Sequence, residues 1–210
     1  MSADVPARTG WYARGGKRCL DVAFSSIGIV LLAPVLAAIS ATILLRDGRP
    51  VLFVQQRVGR HGRDFPLYKF RSMANAPAGI EAEFAPGDRA RVTATGAFLR
   101  RSKLDELPQL FNVIRGEMSL VGPRPEVRRW VAEFPERWNR ILVERPGITD
   151  EAAIVFRDEE DILAREEDPD SAYRDLVLPR KLSLYERYVH ELGPRRDLGI
   201  VLRTLIRLIR

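Results

Sequence analysis

The hydrophobic pattern of the chain is dominated by residues 22–45, twenty-four consecutive positions without a charged side chain. A helix needs about 20 apolar residues to cross the hydrocarbon core of a bilayer, so this segment is long enough to do so. The apolar region of a cleaved signal peptide is shorter, about 7–15 residues. The length also argues against an ordinary buried core helix. The pattern therefore predicts a membrane helix over residues 17–46, after a flexible tail over residues 1–16.

The middle of this segment contains Pro34. A proline inside a helix removes one backbone hydrogen bond and favours a kink. If the helix bends there and returns, each half has about 12 residues and a length of ~18 Å, which reaches only the middle of the bilayer. The backbone groups freed near the proline would then need hydrogen-bond partners. The segment offers the hydroxyls of Ser25, Ser26, Ser40 and Thr42.

Basic residues on both sides of the segment bear on its topology. Basic residues that flank membrane helices stay in the cytoplasm, and a helix that spans the bilayer would leave one of the two clusters on the wrong side. A re-entrant helix, broken at Pro34, keeps both clusters on the cytoplasmic face. We expect this form, with a kinked transmembrane helix as the alternative. The clusters are Arg8, Arg14, Lys17 and Arg18 before the segment, and Arg46, Arg49, Arg57, Arg60 and Arg63 after it.

Two runs rich in β-branched and aromatic residues follow, at 51–58 and 65–70, separated by a turn with two glycines. They predict a β-hairpin with a loop longer than two residues. Lys69 and Arg71 lie at i and i+2 and would share one face of the second strand. A solvated strand edge is the plain alternative to a binding role for these two cations.

A helical period of apolar residues marks the stretch 100–125. Gly116 stands where a glycine would end this short helix. Asp105 is the candidate N-cap, which would place its carboxylate at the positive end of the helix dipole and favour ionisation. Ser102 and Asp105 also fit a capping box, but Pro108 would then lie too far inside the helix. The apolar positions are Leu107, Leu110, Phe111 and Ile114.

Residues 119–121 predict a short strand that enters the turn Gly122-Pro-Arg-Pro125. Two prolines stiffen this turn, so it should hold Arg124 in a fixed place, as suits a phosphate ligand. Helices are predicted beyond it, and their aromatic stripe is typical of a core. The last helix, from residue 195, has one apolar stripe with arginines off it. It fits equally a core helix or an amphipathic helix at an anionic lipid interface. The aromatic stripe is Trp130, Phe134 and Trp138.

Composition limits the kinds of partner that the chain can bind and the side chains that it can use for catalysis. The 210-residue chain has a formal charge of +6 and a pI near 9.9, which indicates an anionic partner such as nucleic acid, anionic lipid or a phosphorylated substrate. Nucleic acid is disfavoured, because 28 acidic residues accompany the 34 basic ones and aromatic and basic residues do not alternate. One cysteine and two histidines exclude an internal disulfide and make a zinc site improbable. Catalysis must then depend on carboxylates.

The stretch LDELPQLFNVIRGEMSLVGPRP resembles the signature of the bacterial sugar transferases, the monotopic phosphoglycosyl transferases. Four further motifs follow the family order and extend the resemblance over roughly residues 15 to 150. One motif would be weak, but five in order are specific. The further motifs are Lys17-Arg18-x-x-Asp21, Gln56-x-Val58-Gly59-x-x-Gly62, Lys69-Phe70-Arg71-Ser72-Met73 and Arg145-Pro146-Gly147-Ile148-Thr149.

The resemblance implies an enzyme of the cytoplasmic face of the bacterial inner membrane. It would move a sugar 1-phosphate from a nucleotide diphosphate sugar, a UDP-sugar above all, to polyprenyl (undecaprenyl) phosphate, and so initiate synthesis of a glycoconjugate such as O-antigen, capsule, exopolysaccharide or a glycoprotein glycan. Asp105 would attack phosphorus and form a covalent aspartyl-phosphosugar intermediate. Mg²⁺ would be held by Asp105, with Glu106 as general base or metal partner. The implied phosphate ligands are Lys69, Arg71, Arg100, Arg124 and Arg145.

The expected fold is α+β and mainly helical, with the re-entrant helix, the hairpin and amphipathic interfacial helices around the active site. The catalytic core would cover residues 47–150 and a helical part of the same domain residues 151–210, with no further transmembrane bundle or appended domain. A second copy of the chain is a candidate partner. Two rival functions are a membrane phosphohydrolase that uses the same carboxylates and a basic, non-enzymatic membrane scaffold.

The chain departs from the family at two places. Ala33 stands where the family usually has a serine before the proline of the re-entrant helix. Many members continue after Pro-Gly-Ile-Thr with a glycine, an aromatic residue and Gln-Val, but this chain continues with Asp150 and Glu151. The second departure leaves the identity of the sugar, and with it that of the base, open.

Overall fold

The computed structural model describes residues 10–74, 91–156 and 159–209. It is mainly helical, with an antiparallel hairpin and a short parallel strand pair, which confirms the predicted α+β class. The helices are α1 Lys17–Arg46, α2 Ala94–Ser102, α3 Gln109–Arg115, α4 Arg128–Glu133, α5 Pro135–Ile141, α6 Glu151–Val155, α7 Glu159–Leu163, α8 Pro169–Ala172, α9 Leu178–His190 and α10 Pro194–Ile209. The strands are β1 Leu52–Val58, β2 Asp64–Phe70, β3 Ser119–Val121 and β4 Gly147–Thr149.

The long N-terminal helix α1 is one continuous helix that contains Pro34 in its interior. The Ser40 hydroxyl donates to the Leu36 carbonyl, and the Thr42 hydroxyl donates to the Ala38 carbonyl. Both hydroxyls therefore bond to carbonyls of α1 itself, one turn earlier. A helical turn, Tyr12–Gly16, leads into α1, so the predicted tail is helical from Tyr12 onward. Residues 1–9 of that predicted tail lie outside the described residues.

By length and composition this helix could cross a membrane, and few of its apolar side chains are buried. Only Asp21, Ser25, Ile39 and Ile43 of α1 are buried. The ends of the helix pack on the rest of the chain, whereas its middle faces outward. A soluble core helix would bury such a surface, so an apolar environment is the fitting one. The exposed large side chains of α1 are Leu20, Phe24, Ile27, Val30, Leu31, Val35, Leu44 and Leu45.

The first turns of α1 are fixed to α3 and β3 by charged side chains. Arg18 donates to the carbonyls of Val113 and Ile114 at the end of α3, at 2.5 and 2.9 Å. The Asp21 carboxylate accepts from the Ser119 hydroxyl at 2.8 Å and from the Leu120 amide at 3.1 Å. The Lys-Arg-x-x-Asp motif of the sequence is therefore a set of anchors that joins α1 to α3 and β3.

The predicted hairpin is confirmed. β1 and β2 are antiparallel, with Leu52 opposite Phe70 and Val58 opposite Asp64. Phe70 packs with Ile39 and Ile43 of α1 and with Leu99 of α2, and these four form one apolar cluster. The hairpin thus connects the second half of α1 to the segment that carries the two candidate carboxylates.

Helix α3 ends at Gly116 as predicted, with φ of +87° at the glycine. Its beginning and its buried face differ from the prediction. Asp105 lies in a separate 3₁₀ turn, Leu104–Glu106, and caps no helix, while the Ser102 hydroxyl bonds back into α2 and forms no capping box. The predicted reason for ionisation of Asp105, a helix dipole, is therefore wrong.

The buried face of α3 is partly polar. The Asn112 side chain donates to the Pro66 carbonyl at 2.7 Å and accepts from the Tyr68 amide at 3.1 Å, so it bonds α3 to β2. Of the apolar positions of this helix, Leu110 is buried, whereas Phe111 and Ile114 are exposed. A hydrogen-bonded asparagine can occupy a buried position, so a polar residue takes part in the buried face of this helix.

Strands β3 and β4 are parallel, with Ser119 opposite Gly147 and Val121 opposite Thr149. The Gly122 amide donates to the Thr149 carbonyl at 3.1 Å, and the Gly147 amide donates to the Pro123 carbonyl at 2.9 Å. A Cβ atom on Gly147 would lie 2.1 Å from the Gly122 nitrogen, so only glycine permits this approach. The carboxyl ends of the two strands meet at one edge, where Arg124 and Asp150 follow.

The main apolar core lies under α4, α5 and α9. Trp130 and Trp138 are buried in it, and Phe134 is partly buried, which confirms the aromatic stripe as core. Helix α4 ends at Glu133 and α5 begins at Pro135, so Phe134 lies between the two helices. Helix α10 buries Asp197 and Ile200 but exposes Leu198, Leu202, Leu205 and Ile206.

Candidate active site

The centre of the candidate site is the Glu106 carboxylate, which two cations contact. The Lys69 ammonium lies 3.0 Å from Glu106 Oε1, and the Arg124 guanidinium lies 2.5 Å from the same oxygen. Lys69 reaches it from β2, Arg124 from the turn after β3, and Glu106 from the 3₁₀ turn between α2 and α3. Three segments far apart in sequence therefore converge on one oxygen atom.

Asp105 lies beside this ion cluster and is 7% exposed. Its Oδ1 atom is buried and has no hydrogen-bond partner among the described residues. An unpaired buried carboxylate oxygen is costly and calls for a ligand. Lys103, which precedes the turn with φ of +57°, closes α2 and directs the chain into the turn that presents both carboxylates.

The two neighbouring carboxyls differ in acidity. Burial works to raise the pKa of Glu106, but Arg124 and Lys69 outweigh it and hold that pKa well below its ordinary value. Burial raises the pKa of Asp105; the charge of Lys69 opposes this shift and that of Glu106 adds to it. Glu106 is thus the permanent anion of the pair, and Asp105 is the less acidic group.

The turn that carries Arg124 is held on both sides. Arg57 donates to the Pro125 carbonyl at 3.3 Å and forms an ion pair with Glu126 at 3.0 Å. The Val58 amide donates to the Glu126 carbonyl at 2.9 Å. With the glycine contact between β3 and β4, these bonds fix the backbone of Arg124, as the two prolines of the turn predict.

Two of the predicted phosphate ligands contact backbone carbonyls. Arg71 is buried and donates to the carbonyls of Asp47, Gly48 and Arg49, just after α1. Arg145 donates to the Gly116 carbonyl at 2.8 Å, at the far end of α3 from the carboxylates. Their predicted contacts with phosphate remain predictions, and the structure assigns each of them a structural contact as well.

Arg100 lies on α2 and is half-buried, one turn before the carboxylate pair. Its carbonyl accepts the Lys103 amide at 3.2 Å. The structure thus brings together four residues of the predicted site: Asp105, Glu106, Lys69 and Arg124. Arg100 lies on the adjacent helix. Arg71 and Arg145 lie at the ends of neighbouring elements.

Sequence reasoning missed a buried polar network behind the Arg124 turn. The Tyr173 hydroxyl donates to Glu126 at 2.6 Å, and Lys181, which is 5% exposed, pairs with Glu159 at 2.8 Å and donates to Tyr173 at 3.3 Å. These residues come from three helical segments of the C-terminal part. A proline-bounded turn followed by Glu126 was the only local signal, because the partners are 47 or more positions away along the chain.

The residues present fit a magnesium ion. Mg²⁺ prefers oxygen ligands and is commonly held by one or two carboxylates together with substrate phosphates and water. Asp105 supplies a buried, unpaired carboxylate oxygen. The described residues include no cluster of three or more histidine, cysteine or acidic side chains, so the protein itself would contribute few ligands.

The fold and this site define the class of protein. The sequence matches the family model described as bacterial sugar transferase over residues 12–210, and the chain belongs to that family. It is 44% identical over 143 residues to a UDP-N-acetylgalactosamine-undecaprenyl-phosphate N-acetylgalactosaminephosphotransferase of Aeromonas hydrophila. It is 39% identical over 137 residues to a UDP-glucose:undecaprenyl-phosphate glucose-1-phosphate transferase of Xanthomonas campestris pv. campestris. It is 36% identical over 163 residues to the exopolysaccharide production protein ExoY of Rhizobium meliloti.

These matches differ in how much of each relative they cover. The alignments cover 66% of this chain and 34% of the Aeromonas protein, and 63% of this chain and 28% of the Xanthomonas protein. The alignment with ExoY covers 69% of this chain and 72% of that protein. The chain therefore corresponds to about a third of the length of the larger relatives and to most of the smaller one.

Proposed function

We propose that the chain transfers a sugar 1-phosphate from a nucleotide diphosphate sugar to a polyprenyl phosphate at the cytoplasmic face of the bacterial inner membrane. The convergence of Lys69 and Arg124 on Glu106, directly beside the unpaired oxygen of Asp105, is the observation that carries the proposal. The names of the Aeromonas and Xanthomonas relatives supply the class of donor and acceptor.

The first step is a displacement at phosphorus. A carboxylate oxygen of Asp105 attacks the β-phosphorus, and the bond from that phosphorus to the bridging oxygen breaks. The nucleoside monophosphate leaves with the bridging oxygen, and the sugar phosphate stays on Asp105 as an acyl phosphate. In the second step an oxygen of polyprenyl phosphate attacks the same phosphorus, which restores the Asp105 carboxylate and gives the polyprenyl diphosphate sugar.

Lys69 and Arg124 bind the phosphoryl oxygens in this scheme. Positioning and charge stabilisation account for most of the catalysis in phosphoryl transfer, and two fixed cations supply both. Mg²⁺, with Asp105 as its protein ligand, would neutralise charge on the diphosphate. Because the phosphate acceptor has a second pKa near 6, it needs no base to remove a proton at neutral pH.

Glu106 then acts as a positioning residue rather than a general base. Its pKa is well below the ordinary value, so it does not accept a proton at neutral pH. Its charge holds the Lys69 and Arg124 side chains at one place before substrate arrives, and preorganised cations cost less to arrange during the reaction.

The contacts of α1 support a re-entrant, monotopic attachment. A straight helix of 30 residues would be about 45 Å long, more than a bilayer core is thick. Arg18 in its first turn contacts α3, and the carbonyls just after its last turn accept from Arg71. Both ends therefore adjoin one catalytic part, whereas a spanning helix would carry one end to the other side of the membrane.

The decisive experiment is the intact mass of the protein after incubation with Mg²⁺ and each of a panel of nucleotide sugars, without lipid acceptor. We expect a gain in mass equal to one phosphosugar on the wild type and none on Asp105→Asn. Subsequent addition of polyprenyl phosphate should remove the gain. Release of nucleoside monophosphate with acceptor, but no adduct with any donor, would instead indicate direct transfer. Release of inorganic phosphate without acceptor would indicate a hydrolase.

A further inference from the structure

Asp150 is a buried carboxylate that the mechanism above does not use. It is 2% exposed and follows β4 directly. Its Oδ1 atom accepts the Ala153 amide at 2.8 Å and so caps helix α6. Its Oδ2 atom is buried and has no hydrogen-bond partner among the described residues. A cap requires one side-chain oxygen, so the cap leaves the second oxygen unexplained.

The parallel strand pair places Asp150 at the candidate active site. Val121 is opposite Thr149, so the residues after these two strands emerge at the same edge. The Gly122 amide bonds to the Thr149 carbonyl, which holds the turn of Arg124 against the backbone of Asp150. In α/β structures the crevice beyond the carboxyl ends of parallel strands is a common place for a ligand.

Electrostatics agrees with this placement. The charge of Glu106 and, more weakly, that of Asp150 raise the pKa of Arg124. Burial raises the pKa of Asp150, and Arg124 is the charge that opposes the shift most. Arg124 therefore contacts Glu106 directly and also interacts with the charge of Asp150, whose Oδ2 atom has no hydrogen-bond partner among the described residues.

We propose that Asp150 is a sugar-recognition residue whose free Oδ2 atom accepts a hydrogen bond from a hydroxyl or amide N–H of the donor sugar. This inference rests on the proposed function. In a nucleotide diphosphate sugar, the group bonded directly to the β-phosphate is the sugar. A carboxylate adjacent to the arginine that binds this phosphate is therefore positioned to accept hydrogen bonds from the sugar rather than from the nucleotide base. Carboxylates accept only, and sugar hydroxyls and amides donate.

The test uses Asp150→Asn in the full chain, with release of nucleoside monophosphate in the presence of polyprenyl phosphate as the readout. Asparagine caps a helix as well as aspartate does, so the midpoint of thermal unfolding should stay unchanged. The new amide N–H₂ cannot accept the hydrogen bond that the Oδ2 atom accepts, and the negative charge is lost with it. We expect the KM for the nucleotide sugar to rise roughly tenfold to 100-fold, the range for a lost hydrogen bond to a charged group. Binding of the nucleoside diphosphate without sugar should stay within about twofold of the wild-type value.

Deoxy-sugar donors give a second measurement that does not depend on how the variant folds. A donor that lacks the recognised hydroxyl should lose affinity for the wild type and lose none further for Asp150→Asn. Asp168→Asn is the matched control, because Asp168 caps α8 at an exposed position and should leave every KM unchanged.

Three results would overturn the inference. An unchanged KM would reduce Asp150 to a helix cap. An equal loss of affinity for nucleotide sugar and for nucleoside diphosphate would mean that Asp150 acts on the phosphate through Arg124. A wild type that releases no nucleoside monophosphate with any donor would overturn the proposed function itself, and the recognition role with it.

Discussion

The Lys17 ammonium lies 2.5 Å from the Asp197 carboxylate, 180 positions further along the chain. Asp197 is 6% exposed and also accepts from the hydroxyls of Tyr12 and Tyr188. One buried carboxylate thus joins the start of α1 to α9 and α10. The orientation of α1 against the catalytic part depends on this acceptor, since the three donors come from separate helical segments.

Replacement of Asp197 by alanine should therefore destabilise the protein strongly. It leaves the Lys17 ammonium, the buried Tyr188 hydroxyl and the half-buried Tyr12 hydroxyl without this acceptor, and loss of one partner of a buried ion pair costs about 3–5 kcal/mol. The free energy of unfolding in detergent, from urea titration, measures the effect. Asp175→Ala is the control, because Asp175 is exposed and pairs with its sequence neighbour Arg174; its effect should be within about 0.5 kcal/mol. Equal effects of the two variants would contradict the anchoring role.

Gly147→Ala should abolish transfer by moving the turn that carries Arg124. The added methyl carbon would lie 2.1 Å from the nitrogen and 2.5 Å from the carbonyl oxygen of Gly122, and backbone atoms cannot yield as a side-chain tip can. We expect kcat/KM to fall by about 100-fold or more, as a displacement of about 1 Å does in an active site.

Gly199→Ala provides the matched control for that experiment. A Cβ atom on Gly199 meets no atom within 4 Å, and the residue lies inside α10. Alanine in a helix is more favourable than glycine by about 1 kcal/mol, so this variant should be equally or more stable and fully active. If Gly147→Ala retains wild-type activity, the position of Arg124 does not depend on the close contact of the two strands.

The pH dependence of stability should reveal the charge of Glu126. Burial works to raise its pKa, but Arg57 and Lys181, with the hydrogen bond from Tyr173, lower it below the ordinary value of 4.5. A carboxyl whose pKa is lower in the folded state stabilises the protein above the unfolded pKa, and this contribution is lost as the pH falls through the folded pKa. Glu126→Gln should cost about 3–5 kcal/mol at neutral pH, because it removes one partner of the buried ion pair between Glu126 and Arg57.

The difference between wild type and Glu126→Gln should be constant above pH 4.5, the ordinary value, and should shrink below it. Urea unfolding at a series of pH values measures this difference. Asp64→Asn removes an exposed ion pair with Arg128 and should cost less than about 1 kcal/mol at every pH. A difference for Glu126→Gln that does not shrink in acid would show that its charge is not the source of the stability.

The elements that the sequence predicted well have strong local signals. The length of the uncharged segment, the two β-rich runs and Gly116 each depend on neighbouring residues alone. The rigid Arg124 turn belongs to the same group, since its prolines are adjacent to the arginine. Local signals failed for α3, because Asn112 is buried by bonds to Pro66 and Tyr68, more than forty positions earlier in the chain.

The candidate site shows the same division between local and distant contacts. The adjacent carboxylates and their cations could be found as residue types, but their partners could not. Nothing near Glu106 in the sequence indicates that Lys69 and Arg124 meet on one of its oxygens. Asp150 is recognisable only as a departure from the family pattern. Its burial and its free oxygen depend on the parallel pairing of β3 and β4.

Lys69 and Arg71 were expected to act alike, as neighbours on one face of a strand, and their contacts now predict different phenotypes. Strand β2 ends at Phe70, so the alternation of side chains between its two faces does not extend to Arg71. Arg71 donates to three carbonyls beyond α1, whereas Lys69 contacts Glu106.

Lys69→Met should lower kcat/KM by at least about 100-fold, because it removes a cation at the phosphate, and it should leave the protein folded. Arg71→Met should lower the free energy of unfolding by several kcal/mol, about 1–3 for each unsatisfied buried carbonyl, and change the donor KM little in the fraction that remains folded. Thermal unfolding and donor kinetics on both variants separate these outcomes. A stable Arg71→Met protein with a raised donor KM would assign Arg71 to the phosphate, as the family resemblance implies.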